Sequence, residues 1–344
     1  MGFVPALDGL RAVAIGLVIL YHLHLGAFAG GNDGVDVFFV LSGFLITTLL
    51  IQERSQTGQL DLPRFYVRRF ARLVPALAIV LIGATALLLI SGTTEKGYFL
   101  ATASAFLYLT PFTRLLLHLD GVYDYTWTLA LEEYFYLAWP ATLIFMMNRR
   151  WSWKQSSFAL ALITIFLYST YAILLLDGTE ISLLRVAGIS AGCAYAFAHR
   201  HLPKVSQPGF LTSFGLILIA SGTAVGANQS QWSIAFPVVA LGSILTIRGV
   251  ASAKTSTLGK ALGWAPVAYL GAISYELYLW HYPIFLWFER ALDTTPAHMW
   301  WAAVPAALLC AAGTHALAVK VQRRVNGAWR SRGRSSPESQ HAVG

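Results

Sequence analysis

Apolar runs long enough to cross a bilayer recur along almost the whole chain, and no other feature restricts its folding so severely. Hydrocarbon offers no water to backbone N–H and C=O groups, so such runs must close their hydrogen bonds internally as helices. Eleven can be counted, at approximately 9–27, 33–52, 73–92, 97–112, 127–147, 157–176, 181–199, 209–226, 231–248, 267–289 and 298–319. Composition agrees: of 344 residues 56% are hydrophobic and only 12% charged, with a mean hydropathy of +0.60. That excludes an ordinary soluble domain. The expected fold is all-α, a polytopic transmembrane helix bundle over residues 1–322, followed by a basic, disordered cytoplasmic tail over 323–344. The first run starts almost at residue 1 without a basic leader, so it reads as a permanent helix and not as a cleaved signal.

The net charge of +8 is explained first by orientation in the membrane. Arg54, Arg64, Arg68, Arg69 and Arg72 lie between the second and third runs, and Arg149, Arg150 and Lys154 follow the fifth. Arg200 and Lys204 follow the seventh run, Arg248, Lys254 and Lys260 the ninth, and six basic residues from Lys320 to Arg334 the last. The intervening loops "LGAFAGGNDG", "DGTE" and "GANQSQ" contain no Lys or Arg. The positive-inside rule then makes the basic loops and both termini cytoplasmic. Two cytoplasmic termini demand an even number of crossings. The fourth run, "YFLATASAFLYLTPF", is short and ends at proline, so it is the candidate re-entrant segment, leaving about ten crossings.

Ionisable groups inside these runs are costly and invite a functional reading. Arg11 and His22 are eleven positions apart, which at 100° per residue returns to within about 20° of the same helix face. If the first helix starts inside near Leu10, His22 lies roughly 18 Å up and His281, on an outward-running helix, roughly 21 Å up. Asp36 and Glu132 fall in the same outer half, so His22, His281, Glu132 and Asp36 are expected to converge from four helices. A single intramembrane histidine can be a packing residue. A histidine placed among carboxylates has the composition of a proton-transfer site.

On the inner side, "PRFYVRRFARLVP" spaces Arg64, Arg68 and Arg72 four apart with Arg69 beside them, a basic amphipathic helix at the cytoplasmic interface. A charge anchor for lipid headgroups could use either lysine or arginine. The choice of arginine favours bidentate phosphate binding, and hence a phosphate-rich cytosolic ligand. Arg185 sits inside the seventh run and needs a partner that the sequence does not reveal. Gly34, Ser42 and Gly43 read as small residues permitting close helix approach. Cys193 and Cys310 read as packing residues, no metal or dinucleotide motif is present, and nothing points to nucleic acid.

Taken in order, "LDGLRAVAIGLVILYH", "GVDVFFVLSGFLIT", "FYVRRFARLVPAL", "WTLALEEYFYLAWP" and "SYELYLWHYPIF" resemble the motif set of the acyltransferase-3 family of integral-membrane acyltransferases. The resemblance covers essentially the whole chain. It implies transfer of an acyl group, usually acetyl, from cytoplasmic acyl-CoA (acetyl-CoA) to a hydroxyl of a surface glycan, glycolipid or macrolide-type acceptor. Acyl-CoA is then a donor substrate, with no permanently bound cofactor. The family's Arg-x10-His pair corresponds to Arg11 and His22, its Arg-x-x-Arg to Arg69 and Arg72, and its motif glutamate to Glu132, with Thr128 where serine is usual. On this resemblance Arg11, Arg68, Arg69 and Arg72 would hold the donor. His22 would be the catalytic base or acyl carrier, oriented by Glu132, Asp36 or His281. Some family members carry an additional extramembrane esterase-like domain. Without one, acceptor specificity is expected to come from the membrane cavity. The rival reading is a proton-coupled transporter or exporter of a glycan precursor, with a noncatalytic membrane partner third. No internal duplication or pair of broken helices supports the transporter.

Overall fold

The structure, a computed structural model, describes residues 4–90, 92, 97–117, 121–179, 181–252 and 256–334. Two 3-10 turns after α1 (Pro5–His22) lead into α2 (Gly34–Thr57). Next come α3 (Leu62–Ile90), α4 (Tyr98–Phe106), α5 (Thr110–Leu117), α6 (Trp127–Asn148), α7 (Trp153–Leu176) and α8 (Ala187–Ala198). The chain continues through α9 (Pro208–Val225), α10 (Trp232–Ser252), α11 (Thr257–Leu262), α12 (Ala265–Ala272), α13 (Ser274–Leu292) and α14 (Trp300–Arg334). There is no strand among the described residues. The protein is a helical membrane bundle. Among the described residues, seven helical stretches are long and apolar enough to cross a membrane: α1, α2 with its leading turns, α3, α7, α9, α10 and α14.

Three of the expected runs are interrupted. The fourth divides into α4 and α5, of 9 and 8 residues, at Tyr108, whose φ is +57°. At 1.5 Å per residue neither covers half of a hydrocarbon core of about 30 Å. The seventh run opens as a 3-10 helix, Ser182–Val186, before α8, and the tenth breaks at Ile273 between α12 and α13. In contrast, α3 joins the basic segment to the third run in one continuous 29-residue helix. The last helix runs on to Arg334, through the first part of the stretch read as a tail; residues 335–344 lie outside the described residues.

The bundle is organised around α1 and α2. α1 packs on α2, α11, α12 and α13, while α2 also meets α8 and α10, and α3 meets α13 and α14. Two stripes on α2 do different work. Asp36, Val40, Gly43 and Thr47 face α8, where the backbones touch: a Cβ on Gly43 would collide with the Ile189 carbonyl, and one on Gly192 with the Val40 carbonyl. Val35, Phe38, Ser42, Leu45, Leu49, Gln52 and Gln56 follow one another in steps of three and four on another face. That second stripe borders the cavities described next. Side chains exposed on the outside of the bundle are largely apolar, including Ile82, Ile90, Phe99, Leu116, Phe166, Leu176 and Leu309. This is the surface a bilayer would cover.

Candidate active site

A proline in α13 sets the local geometry. Pro283 has no N–H, so the carbonyl of Leu279, four residues earlier, loses its helical donor. The Tyr125 hydroxyl supplies one, donating to Leu279 O at 2.6 Å. In return the Tyr278 hydroxyl donates to the Tyr125 carbonyl at 2.8 Å, with Thr128 Oγ1 also 2.8 Å from that hydroxyl. The start of α6 is thereby tied to α13 through buried groups.

One turn along α13, His281 meets His22 from the end of α1, with His281 Nε2 3.3 Å from His22 Nδ1. The carbonyls around them fix the tautomers, because a carbonyl can only accept. His281 Nδ1–H donates to Tyr278 O at 2.6 Å, so in the neutral ring its Nε2 bears a lone pair. His22 Nδ1–H donates to Val18 O at 2.9 Å and shares that proton with His281 Nε2. The remaining nitrogen of His22, Nε2, is then an unprotonated base. His281 is fully buried and His22 only partly, with Tyr21 and Tyr282 edge-on to the latter at 4.9 and 5.2 Å.

Below this pair lies a series of cavities. An upper one, narrow at about 40 Å³, is bordered by Val35, Phe38, Thr128, Glu132, Tyr278 and Arg11, among others. A middle one, about 60 Å³, shares Arg11, Phe38, Glu132 and Tyr275 with it and adds Ser42, Arg69, Arg72 and Tyr136. An open groove of about 580 Å³ shares Arg69 and Arg72 with the middle cavity and adds Arg64, Arg68, Gln52, Glu53 and Gln56. The two helix stripes make this alignment: α2 contributes the face described above, and α6 contributes Thr128, Glu132 and Tyr136 at successive turns. Glu132 accepts from Ser42 Oγ at 2.8 Å and from the Tyr136 hydroxyl at 3.0 Å. The Arg69 guanidinium lies 4.3 Å from the centre of the Tyr136 ring, a cation–π contact that holds it inward, whereas Arg68 points outward, 3.9 Å from Glu53.

The four residues expected at one depth thus separate. His22 and His281 touch. Glu132 lies in the cavity series, bonded to Ser42 and Tyr136, and does not orient His22. Asp36 faces away, toward α8, where its carboxylate is 2.5 Å from Arg185 Nη2 and also receives Arg185 Nε at 3.5 Å. Arg185 further donates to Asn32 O at 3.2 Å and stacks over Phe236 at 4.2 Å. This answers what Arg185 pairs with, and it occupies the Asp36 carboxylate. Glu276 meets His315 at 3.0 Å between α13 and α14, and Trp280 donates to Thr314 there. None of the three cavities is lined by His22 or His281; Tyr278 and Thr128 close the upper end. Among the described residues no three His, Cys, Asp or Glu side chains cluster as metal ligands.

Sequence reasoning missed Tyr125, Tyr136 and Tyr278 and took Ser42 for a packing residue. For Tyr125 a signal existed: Pro283 within a membrane helix leaves a carbonyl that must find a donor.

Residues 4–319 match the acyltransferase-3 family, described as an acyltransferase domain. The peptidoglycan O-acetyltransferase OatA of Listeria monocytogenes is 32% identical over 329 residues, which cover 87% of this chain and 52% of that protein. The O-acetyltransferase OatA of Staphylococcus aureus is 32% identical over 306 residues, 82% of this chain and 50% of that protein. The chain spans about half the length of the curated relatives it matches. No solved structure matches it.

Proposed function

Because the chain belongs to the acyltransferase-3 family, we propose that it is a membrane O-acetyltransferase acting on a cell-wall glycan, with acetyl-CoA as the cytoplasmic donor. The observation that carries this reading is the succession of arginine-bordered cavities from an open groove to the floor beneath the histidine pair. A proton-coupled carrier has no use for such a groove. The basic loops face the cytoplasm, both termini lie there, and the bundle crosses an inner membrane about ten times.

Arg64, Arg68, Arg69 and Arg72 would receive the phosphates of the donor, Arg69 and Arg72 being the two that also reach the middle cavity. The acyl arm would pass Arg11 and Glu132 toward Tyr278. The layer of Tyr125, Tyr278 and Thr128 must part for the thioester to reach His22. His22 Nε2 takes the proton from the acceptor hydroxyl as its oxygen attacks the thioester carbonyl. The C–O bond forms, the C–S bond breaks, and the imidazolium returns the proton to the departing thiolate, giving an acetyl ester and free coenzyme A. His281 acts on His22 alone: accepting from Nδ1–H, it keeps Nε2 as the basic nitrogen and stabilises the charge that develops on the ring. Asp36 and Arg185 take no part in transfer.

The test uses the purified protein in lipid nanodiscs with radiolabelled acetyl-CoA and a soluble N-acetylhexosamine tetrasaccharide. Alkali-labile acetyl on the sugar is expected without any ion gradient. His22→Ala should lower turnover by about 10²–10⁴-fold while the thermal midpoint is retained. Undiminished turnover of that variant would reject the assignment of the base, and label on no sugar hydroxyl would reject the activity.

A further inference from the structure

A separate basic cavity lies on the α8 side of α2, toward the same end of the bundle as the arginine groove. α8 runs parallel to α2: Gly188 lies against Phe39, Gly192 against Val40, and the Tyr195 ring stacks on Phe44. The chain leaves α8 at His199, whose ring also meets Phe44, at 6.2 Å. There His199, Leu202, Pro203, Lys204 and Val205 join Arg248 of α10 around a cavity of about 460 Å³. It shares no residue with the three cavities described above. Its volume is that of a small-molecule site, typically about 300–1,000 Å³.

Backbone packing fixes the frame of this cavity. A Cβ on Gly249 would collide with Thr212 Oγ1 and the Pro208 carbonyl, so α10 meets the start of α9 directly beside Arg248. Arg248 Nη2 donates to Pro203 O at 3.2 Å, which ties the loop between α8 and α9 to α10. That bond leaves the guanidinium most of its five N–H donors. His199 Nδ1 is 3.2 Å from the Tyr195 hydroxyl. Arg200 turns away, its guanidinium over the Trp153 ring at 5.0 Å.

The frame holds positive charge without an answer. Residues 181–275 contain neither Asp nor Glu, and among the described residues Lys204 and Arg248 form no ion pair. Burial, and then Arg248 and Arg200, push the His199 imidazole below its ordinary value. Orientation in a membrane requires only that a loop be basic. It does not require cations from two segments to converge on one cavity, where they repel each other. A tetrahedral phosphate can take a guanidinium, an ammonium and an imidazole N–H on separate oxygens, whereas a carboxylate has only two. Apolar surface begins at the rim: Leu202 is exposed, and so are Phe210 and Phe214, stacked 5.9 Å apart at the start of α9.

We propose that this cavity binds a phosphate group, held by Arg248, Lys204 and His199. The site stands independently of the acetyltransferase reading. The phosphate can belong to an anionic lipid headgroup, with acyl chains on the exposed aromatics of α9, or to a soluble phosphate.

Two probes separate these sources. The intact, delipidated protein in detergent is offered phosphatidylglycerol, with phosphatidylcholine as the uncharged comparison, and retained lipid is counted by native mass spectrometry. Radiolabelled inorganic phosphate is measured on the same samples by equilibrium dialysis. Arg248→Gln and Lys204→Glu should each weaken binding of at least one anionic probe about tenfold or more, with phosphatidylcholine unaffected. Arg248 also ties the loop, so Lys204→Glu, in an exposed stretch, carries the test where Arg248→Gln melts early. Loss of retained phosphatidylglycerol in the variants supports a lipid headgroup, and loss of phosphate alone supports a soluble ligand. Binding of neither probe by the unaltered protein, or equal binding by the folded variants, overturns the site and leaves these charges to orientation.

Discussion

Two carboxylates in this bundle began with equal standing, and their surroundings set them apart. Asp36 is 0% exposed and Arg185 2%, joined at 2.5 Å, with the guanidinium capped by an aromatic ring and a backbone carbonyl. Glu132 instead keeps one edge on two cavities, and its donors are the neutral hydroxyls of Ser42 and Tyr136 while arginines line the same space. In the first case the ion pair uses up the polar capacity of both groups. In the second, capacity remains for a ligand. Both are carboxylates inside the bundle; access to the cavities is what differs.

The comparison can be broken at either end. The largest effect is expected from Arg185→Ala, which strands the Asp36 carboxylate in the interior. A loss of about 3–5 kcal/mol is expected, visible as a collapse of the thermal midpoint in detergent, with partial recovery when Asp36→Asn is added. A stable single variant would show that the pair is not the tie described. Glu132→Gln comes next and should reverse the pattern. The amide still meets Ser42 and Tyr136, so the midpoint hardly moves. Turnover should fall about 10–100-fold, the worth of a charged hydrogen bond of about 1.5–3 kcal/mol. Equal losses in stability and turnover would erase the distinction. Arg68→Gln supplies the small end of the scale. Its 3.9 Å pair with Glu53 is half in solvent, so unfolding should shift by less than about 1 kcal/mol, measured in the same melts.

Much of this arrangement is legible in the sequence, and the rest is hidden for definite physical reasons. Hydropathy located the long helices. Counting 1.5 Å per residue put His22 and His281 within a few ångströms of the same level, and they are in contact. The same count brought Asp36 toward His22, whereas its side chain faces Arg185. Rise along a helix follows from sequence position, but which face meets which neighbour depends on packing. Here the glycines at 43 and 192 bring α2 against α8 and take Asp36 with them. Arg185 had no readable partner because that partner lies 149 positions earlier. The breaks at Tyr108 and Ile273 occur inside apolar text without a glycine at either position, so hydropathy ran straight through them.

The contact of α2 with α8 carries one more implication. Two backbones meeting without intervening side chains have no slack, so α2 can neither slide nor turn without prising carbonyls out of place. It is a fixed rail along which the upper cavity, the middle cavity and the arginine groove are strung. Any breathing of the passage must come from the wall across from it, where α3 and α6 meet through the Arg69 guanidinium on the Tyr136 ring, a contact that can loosen and re-form.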